Sequence, residues 1–182
     1  SGDSEQDAAA VRHFVDEGPC VITTQSFSKN FGLYNDRVGE LSVVCADEEE
    51  KKRVDSQLKL IIRPMYSNPP AAGARIVSLI LSDKELAAQW RSECRAMADR
   101  IISARAALKS NLESLGSKSD WSHITDQIGM FAFSGLSKEQ CARMISEHHI
   151  YMTADGRISM AGVTAKNAKY IAESIMEVTG GN

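Results

Sequence analysis

From Ser82 to Leu115 apolar residues return at every third or fourth position: Leu86, Trp90, Met97, Ile101, Ala104, Leu108, Leu112 and Leu115. That spacing is the period of one helical face. Ser82 with Glu85 reads as a capping box at its start, and Gly116 as its stop. A helix of that span is about 50 Å long. That exceeds the width of one small domain, so the segment is expected to pass from one domain into another. The 182 residues leave room for one large domain or two small ones.

The flanking stretches differ in character. Before the long helix, Asp3 to Glu17 reads as a helix opened by Asp3 with Gln6, with Ala8, Val11, Phe14 and Val15 on one face, stopped by Gly18-Pro19. Residues 20–24 and 41–46 read as strands, so nearly all apolar that both faces are expected to be buried. Asp47 to Ile62 is a predicted helix, capped by Asp47 with Glu50 and ended by Pro64; another runs from about Ala71 to Leu81. After Gly116, residues 120–127 read as polar loop, 129–133 as a strand, and 137–149 as a helix with a Ser137/Gln140 box. Residues 150–153 and 157–160 are expected to form a hairpin about Asp155-Gly156, and 164–178 the last helix. The first part is thus α/β and the second a compact α+β unit.

The stretch Gln25 to Gly39 carries the richest chemistry. It follows the strand-like run Val21-Ile22-Thr23-Thr24, so Lys29 stands in a loop just past a strand end, where ligands bind in open α/β sheets. The loop offers the hydroxyls of Ser26 and Ser28, the amine of Lys29, the guanidinium of Arg37, and two glycines that let the backbone bend. Hydroxyls with an arginine suit a phosphate. A lysine beside a phosphate site can also bond an aldehyde cofactor. On composition alone a surface loop with a solvated lysine accounts for the run as well.

Other readings narrow the field. The chain is 43% hydrophobic and 25% charged, ordinary for a globular protein, and its net charge of -3 gives no electrostatic case for nucleic acid. No apolar run approaches the roughly 18 residues of a membrane span, and no signal-peptide pattern opens the chain. Cys20, Cys45, Cys94 and Cys141 lack zinc spacing and read as free thiols of a reducing compartment, Cys20 and Cys45 as small core residues. Neighbouring His148 and His149 point about 100° apart on a helix, which suits solvated side chains better than metal ligands. No metal is expected.

Three stretches resemble one family. Ser26-Phe27-Ser28-Lys29-Asn30-Phe31-Gly32-Leu33-Tyr34-Asn35 is similar to the cofactor-lysine segment of aspartate aminotransferases, pyridoxal-phosphate enzymes of fold type I. Arg63-Pro64-Met65-Tyr66-Ser67-Asn68-Pro69-Pro70 and Asp155-Gly156-Arg157-Ile158-Ser159-Met160-Ala161-Gly162 are similar to two further segments, in family order. The resemblance implies the rear half of a fold type I cofactor domain at residues 1–96 and most of a small C-terminal domain at 97–182. It implies that Lys29 holds pyridoxal 5'-phosphate and moves the substrate's α-proton, with Ser26 and Arg37 as phosphate ligands. Arg157 would bind the α-carboxylate, and Arg63 the distal carboxylate of a dicarboxylic substrate from across a homodimer interface. Ser67 and Asn68 would reach the neighbouring subunit's site, and Phe131 would line the substrate pocket. Asp36 departs from the glutamate usual beside the arginine.

The implied reaction exchanges an amino group between L-aspartate and 2-oxoglutarate, giving oxaloacetate and L-glutamate with ping-pong kinetics. The acid that protonates the cofactor ring, the tyrosine on its phenolic oxygen and the ring stacked on its face would lie upstream of Ser1, so these residues alone are expected to be inactive. A truncated, non-catalytic relative that dimerises or binds small anions is the alternative. A tyrosine aminotransferase is a third reading, against which Arg63 argues. The expected location is cytoplasmic, with the mitochondrial matrix as alternative.

Overall fold

The computed structural model describes residues 1–18 and 20–181; the expected stop at Pro19 lies outside the described residues. Helices and two small sheets make this an α/β chain. It divides into two compact units, Asp3–Cys94 and Ser1–Gly2 with Arg95–Asn182.

The Asp3–Cys94 unit opens with α1 (Ser4–Asp7) and α2 (Ala9–Asp16). Asp3 caps α1 by accepting from the Glu5 and Gln6 amides. The expected single helix is interrupted at Ala8, which belongs to neither element. Its expected apolar face is open: Phe14 is 58% exposed. Strands β1 (Ile22–Ser26) and β2 (Gly39–Val43) follow, paired antiparallel from Ile22↔Val43 to Ser26↔Gly39. The expected burial of both faces is not found, since Ile22 is 69% and Leu41 49% exposed. An apolar, β-branched run announces a strand but not what lies against it. For the same reason Cys20 is exposed and Cys45 half-buried rather than core.

Asp47 caps α3 (Glu48–Tyr66) by accepting from the Glu50 amide, and the Glu50 carboxylate accepts from the Ala46 amide. Pro64 lies inside α3 instead of ending it. Proline's fixed φ is already helical, and what it removes is a bond to the carbonyl four residues back. That residue is Leu60, which is 64% exposed. Helix α4 (Ala72–Ser82) runs almost directly into α5 (Lys84–Ser114). The α5 cap is Asp83, whose carboxylate accepts from the Glu85 and Leu86 amides at 2.9 Å, rather than the expected Ser82, which ends α4. A carboxylate is the stronger acceptor at a helix start.

Helix α5 contributes its first residues to this unit and the rest to the other. It closes at Gly116, where the Ser117 amide reaches back to the Leu112 carbonyl and the Gly116 amide to that of Glu113. The second unit is built on the buried stripe Ala104, Leu108 and Leu112. Around the stripe lie α6 (Ser122–Asp126), β3 (Phe131–Phe133), α7 (Lys138–Ser146), β4 (Arg157–Ser159), a 3-10 turn (Met160–Gly162) and α8 (Ala168–Thr179). Trp121, Ile124, Met144, Ile175 and Val178 are among the residues that join it in the core. The reading of 120–127 as polar loop missed α6, which exists because Trp121 and Ile124 are buried there.

The Ser137/Gln140 capping box forms as expected. The expected hairpin does not. The turn at Asp155-Gly156 forms, with the Gly156 amide donating to Thr153, but residues 150–153 are not a strand. β4 pairs instead with β3, Phe131↔Ser159 to Phe133↔Arg157. His148 is half-buried beside Glu177 at 3.6 Å, not solvated; His149 is exposed.

Candidate active site

The lysine loop, residues 27–38, is a hairpin connection whose ends are fixed by the β1–β2 ladder. Gly39 is required there: a Cβ would stand 2.5 Å from the Gln25 carbonyl oxygen across the pair. Beyond the last pair, the Phe27 amide donates to Val38 at 3.2 Å. Gly32, at φ +68°, turns the loop back, and the Leu33 amide then reaches the Phe27 carbonyl at 3.3 Å. Phe27 and Ser28 are buried, while Lys29 between them and Asn30 is exposed. The Lys29 Nζ stands 5.1 Å from the Tyr34 ring centre.

Ser26 and Arg37 flank this loop at its closed end. The Ser26 hydroxyl accepts from the Ser28 amide at 3.2 Å. Arg37 adopts a left-handed φ of 50°, uncommon for a residue with a side chain, and spends one guanidinium nitrogen on the Tyr34 carbonyl at 3.0 Å. The rest of its fork remains exposed, without a carboxylate within ion-pair distance among the described residues. Gly73 on α4 lets the returning chain pass close by: a Cβ there would come within 2.8 Å of Val38 and 3.1 Å of Asp36. A hydroxyl, a guanidinium fork and an exposed amine around one loop suit a phosphorylated aldehyde.

Arg63 lies on the last turn of α3 and is exposed. Ser67 follows at φ 64°, so the chain leaves the helix abruptly, and the Asn68 amide bonds the Tyr66 carbonyl at 2.7 Å. Both Ser67 and Asn68 are exposed.

In the other unit Arg157 and Phe131 meet. The Arg157 guanidinium lies 5.0 Å over the Phe131 ring, on neighbouring strands. Its backbone is fixed from below: the Arg157 carbonyl accepts from the Thr153 hydroxyl at 3.1 Å, and its amide donates to Asp155. The Thr153 hydroxyl, ahead of the Arg157 amide, holds the Asp155 carboxyl below its usual range. The guanidinium itself is exposed and ready for a planar anion.

Two residues that no motif singled out support these groups. Trp90 stacks on Phe31 of the lysine loop. Arg105, 2% exposed, fans across three carbonyls: Ile124 at 2.7 Å, Gly129 at 2.9 Å and Phe131 at 2.6 Å. Burial without a carboxylate partner pushes its pKa down from the usual arginine value. The only sequence signal was a charge between Ala104 and Ala106 in a largely apolar helix stretch.

Fold and loop together define a class. The profile of the family "Aminotransferase class I and II" matches residues 1–175, and the chain belongs to that family. Over 179 residues it is 57% identical to mitochondrial aspartate aminotransferase of Gallus gallus, covering 98% of this chain and 42% of that protein. A mitochondrial aspartate aminotransferase structure from Trypanosoma brucei superposes with a TM-score of 0.94 at 49% identity, over 98% of this chain and 47% of that one. An aromatic-amino-acid aminotransferase from Burkholderia pseudomallei, covalently bound to pyridoxal phosphate, gives 0.92 at 43% identity, over 96% and 44%. The chain thus spans less than half the length of the relatives it matches.

Replacing Arg105 by methionine in the full protein removes the donor from three carbonyls, that of Ile124 in a buried bond and those of Gly129 and Phe131 in half-buried ones, at a cost of about 1–3 kcal/mol for each that finds no water. Denaturant unfolding should show a clear fall in midpoint, partly recovered by Arg105→Lys. A wild-type midpoint for Arg105→Met would refute this role.

Proposed function

We propose that this chain is the cofactor-lysine and small-domain portion of an aspartate aminotransferase. Residues 1–96 are the rear of the cofactor domain and 97–182 most of the small domain. The reading rests foremost on the exposed Lys29 in a loop whose closed end carries Ser26 and Arg37. When bound, pyridoxal 5'-phosphate supplies the electron sink that lets an amino acid lose its α-proton. Lys29 would hold the cofactor through its amine and would take and return the proton at the substrate's α-carbon. Ser26 and Arg37 would anchor its phosphate with a hydroxyl and a guanidinium fork. Arg157 grips the α-carboxylate with two parallel donors, and Phe131 beneath its guanidinium limits the directions from which that fork can be approached.

Arg63 reads the second carboxylate of aspartate, glutamate and their oxo acids. Its exposed place beside Ser67 and Asn68 suits a residue that serves the other subunit of a symmetric homodimer. Oxaloacetate and 2-oxoglutarate are the oxo-acid partners. The Gallus gallus relative carries a mitochondrial name, which favours that location over the cytoplasmic one.

Borohydride reduction of the full protein loaded with pyridoxal phosphate, followed by peptide mapping, should place the label on Lys29; a label on another lysine would sink the assignment.

Arg63→Ala should strand the distal carboxylate at a cost of roughly 2–5 kcal/mol in transition-state binding of aspartate, with little change for aromatic amino acids. Mixing Arg63→Ala with Lys29→Ala subunits should restore part of the aspartate activity. An equal loss on both substrate types, or hybrids that form yet stay inactive, would remove Arg63 from the shared site.

A further inference from the structure

The segment that carries Lys29 has no helix or strand of its own between Ser26 and Gly39. Its internal backbone bonds are long: Gly32 to Lys29 and Leu33 to Phe27 are both 3.3 Å. A loop held only by such bonds opens locally at low cost. Its shortest backbone anchor comes from outside it. The indole Nε1 of Trp90 on α5 donates to the Asn30 carbonyl at 2.8 Å, one residue past Lys29. The Cys94 thiol, one turn further along the same helix, points at that same oxygen from 3.7 Å.

The rings repeat the attachment. Phe31 lies flat against Trp90, 4.6 Å between centres and 13° between planes. Phe27 meets Phe31 edge-on at 5.4 Å. The column Trp90, Phe31, Phe27 therefore pins the loop on both sides of Lys29, at positions 27, 30 and 31, while Lys29 itself stays exposed. An offset stack and a hydrogen bond from one side chain fix both the position of the loop and its rotation about the lysine. Because the indole sits on a long helix, the loop inherits the precision of that helix.

We propose that Trp90 is a positioning residue for Lys29: by clamping Asn30 and Phe31 to α5 it sets where the lysine amine stands when it bonds the cofactor and moves the α-proton. The proposal rests on the function proposed above for Lys29. It concerns placement of the amine, not its chemistry, so cofactor attachment should survive loss of the clamp while rate does not.

The test uses the full protein. Trp90→Phe keeps a ring for Phe31 and deletes the donor to Asn30; Trp90→His keeps a flat ring with an N–H. Trp121→Phe is the control, since it also deletes a buried indole donor, to Ser117 at 2.7 Å, in the unit that does not hold Lys29. In Trp90→Phe, borohydride should still label Lys29. Its kcat should fall about 10- to 100-fold, as misplacements near 1 Å do, with KM for aspartate little changed. The pH at which bound cofactor changes its absorption should move as well. Trp90→His should recover part of the rate, and Trp121→Phe should alter thermal stability alone. Wild-type kcat and absorption titration in Trp90→Phe would overturn the proposal, as would losses matched by Trp121→Phe. If Trp90→Phe does not fold, Trp90→His decides by the same two readouts. A wild-type protein that takes no cofactor on Lys29 sinks the parent reading and this one together, whereas a normal Trp90→Phe enzyme sinks only this one.

Discussion

The antiparallel ladder from Ile22↔Val43 to Ser26↔Gly39 is the constraint on which the lysine loop depends. Twelve residues between two strands have many ways to arrange themselves, and closing their ends removes most of that freedom. The ladder fixes Ser26 at one end, and Arg37 follows two residues before the other. It also explains why position 39 is glycine, since the Gln25 carbonyl occupies the space of a Cβ. Only then do weaker features matter, such as the left-handed Arg37, the turn at Gly32 and the aromatic clamp from α5.

The Arg157 unit solves a similar problem with other means. Strands β3 and β4 have three residues each, and a two-stranded pair of that size is marginal alone. Burying Arg105 beneath it costs desolvation, yet its fork ties β3 to α6 and to the Gly129 turn with three bonds that no apolar side chain supplies. The seat of Arg157 over Phe131 thus rests on a buried charge that bonds only backbone carbonyls. Cation and ring stay aligned because each belongs to a paired strand.

What the sequence disclosed follows the range of the interactions. Asp47 with Glu50 and Ser137 with Gln140 act within one turn and read correctly. Asp83 shows the limit, because an adjacent and stronger acceptor displaced Ser82. Longer range, the reading failed in kind. The Asp155-Gly156 turn was visible, but β4 takes its partner from residue 131 onward, beyond the whole of α7, and no local pattern records that choice. Apolar runs located β1 and β2 within two or three residues yet misjudged their exposure. Lys29, Arg63 and Arg157 stood out through family resemblance and through side-chain chemistry. Trp90 did not, since an aromatic at helical spacing looks like core until Asn30 is seen against it.

The central claim, that the closed end of the lysine loop is a phosphate cradle, is tested by comparing affinities for pyridoxal phosphate and for pyridoxal in the full protein. A fork that bonds phosphate contributes about 1.5–3 kcal/mol per charged hydrogen bond, which is roughly a 10- to 150-fold preference for the phosphorylated form. The account predicts such a preference in the wild type and its near disappearance in Arg37→Ala, with pyridoxal affinity unchanged. An identical ratio of the two affinities in wild type and Arg37→Ala would contradict it.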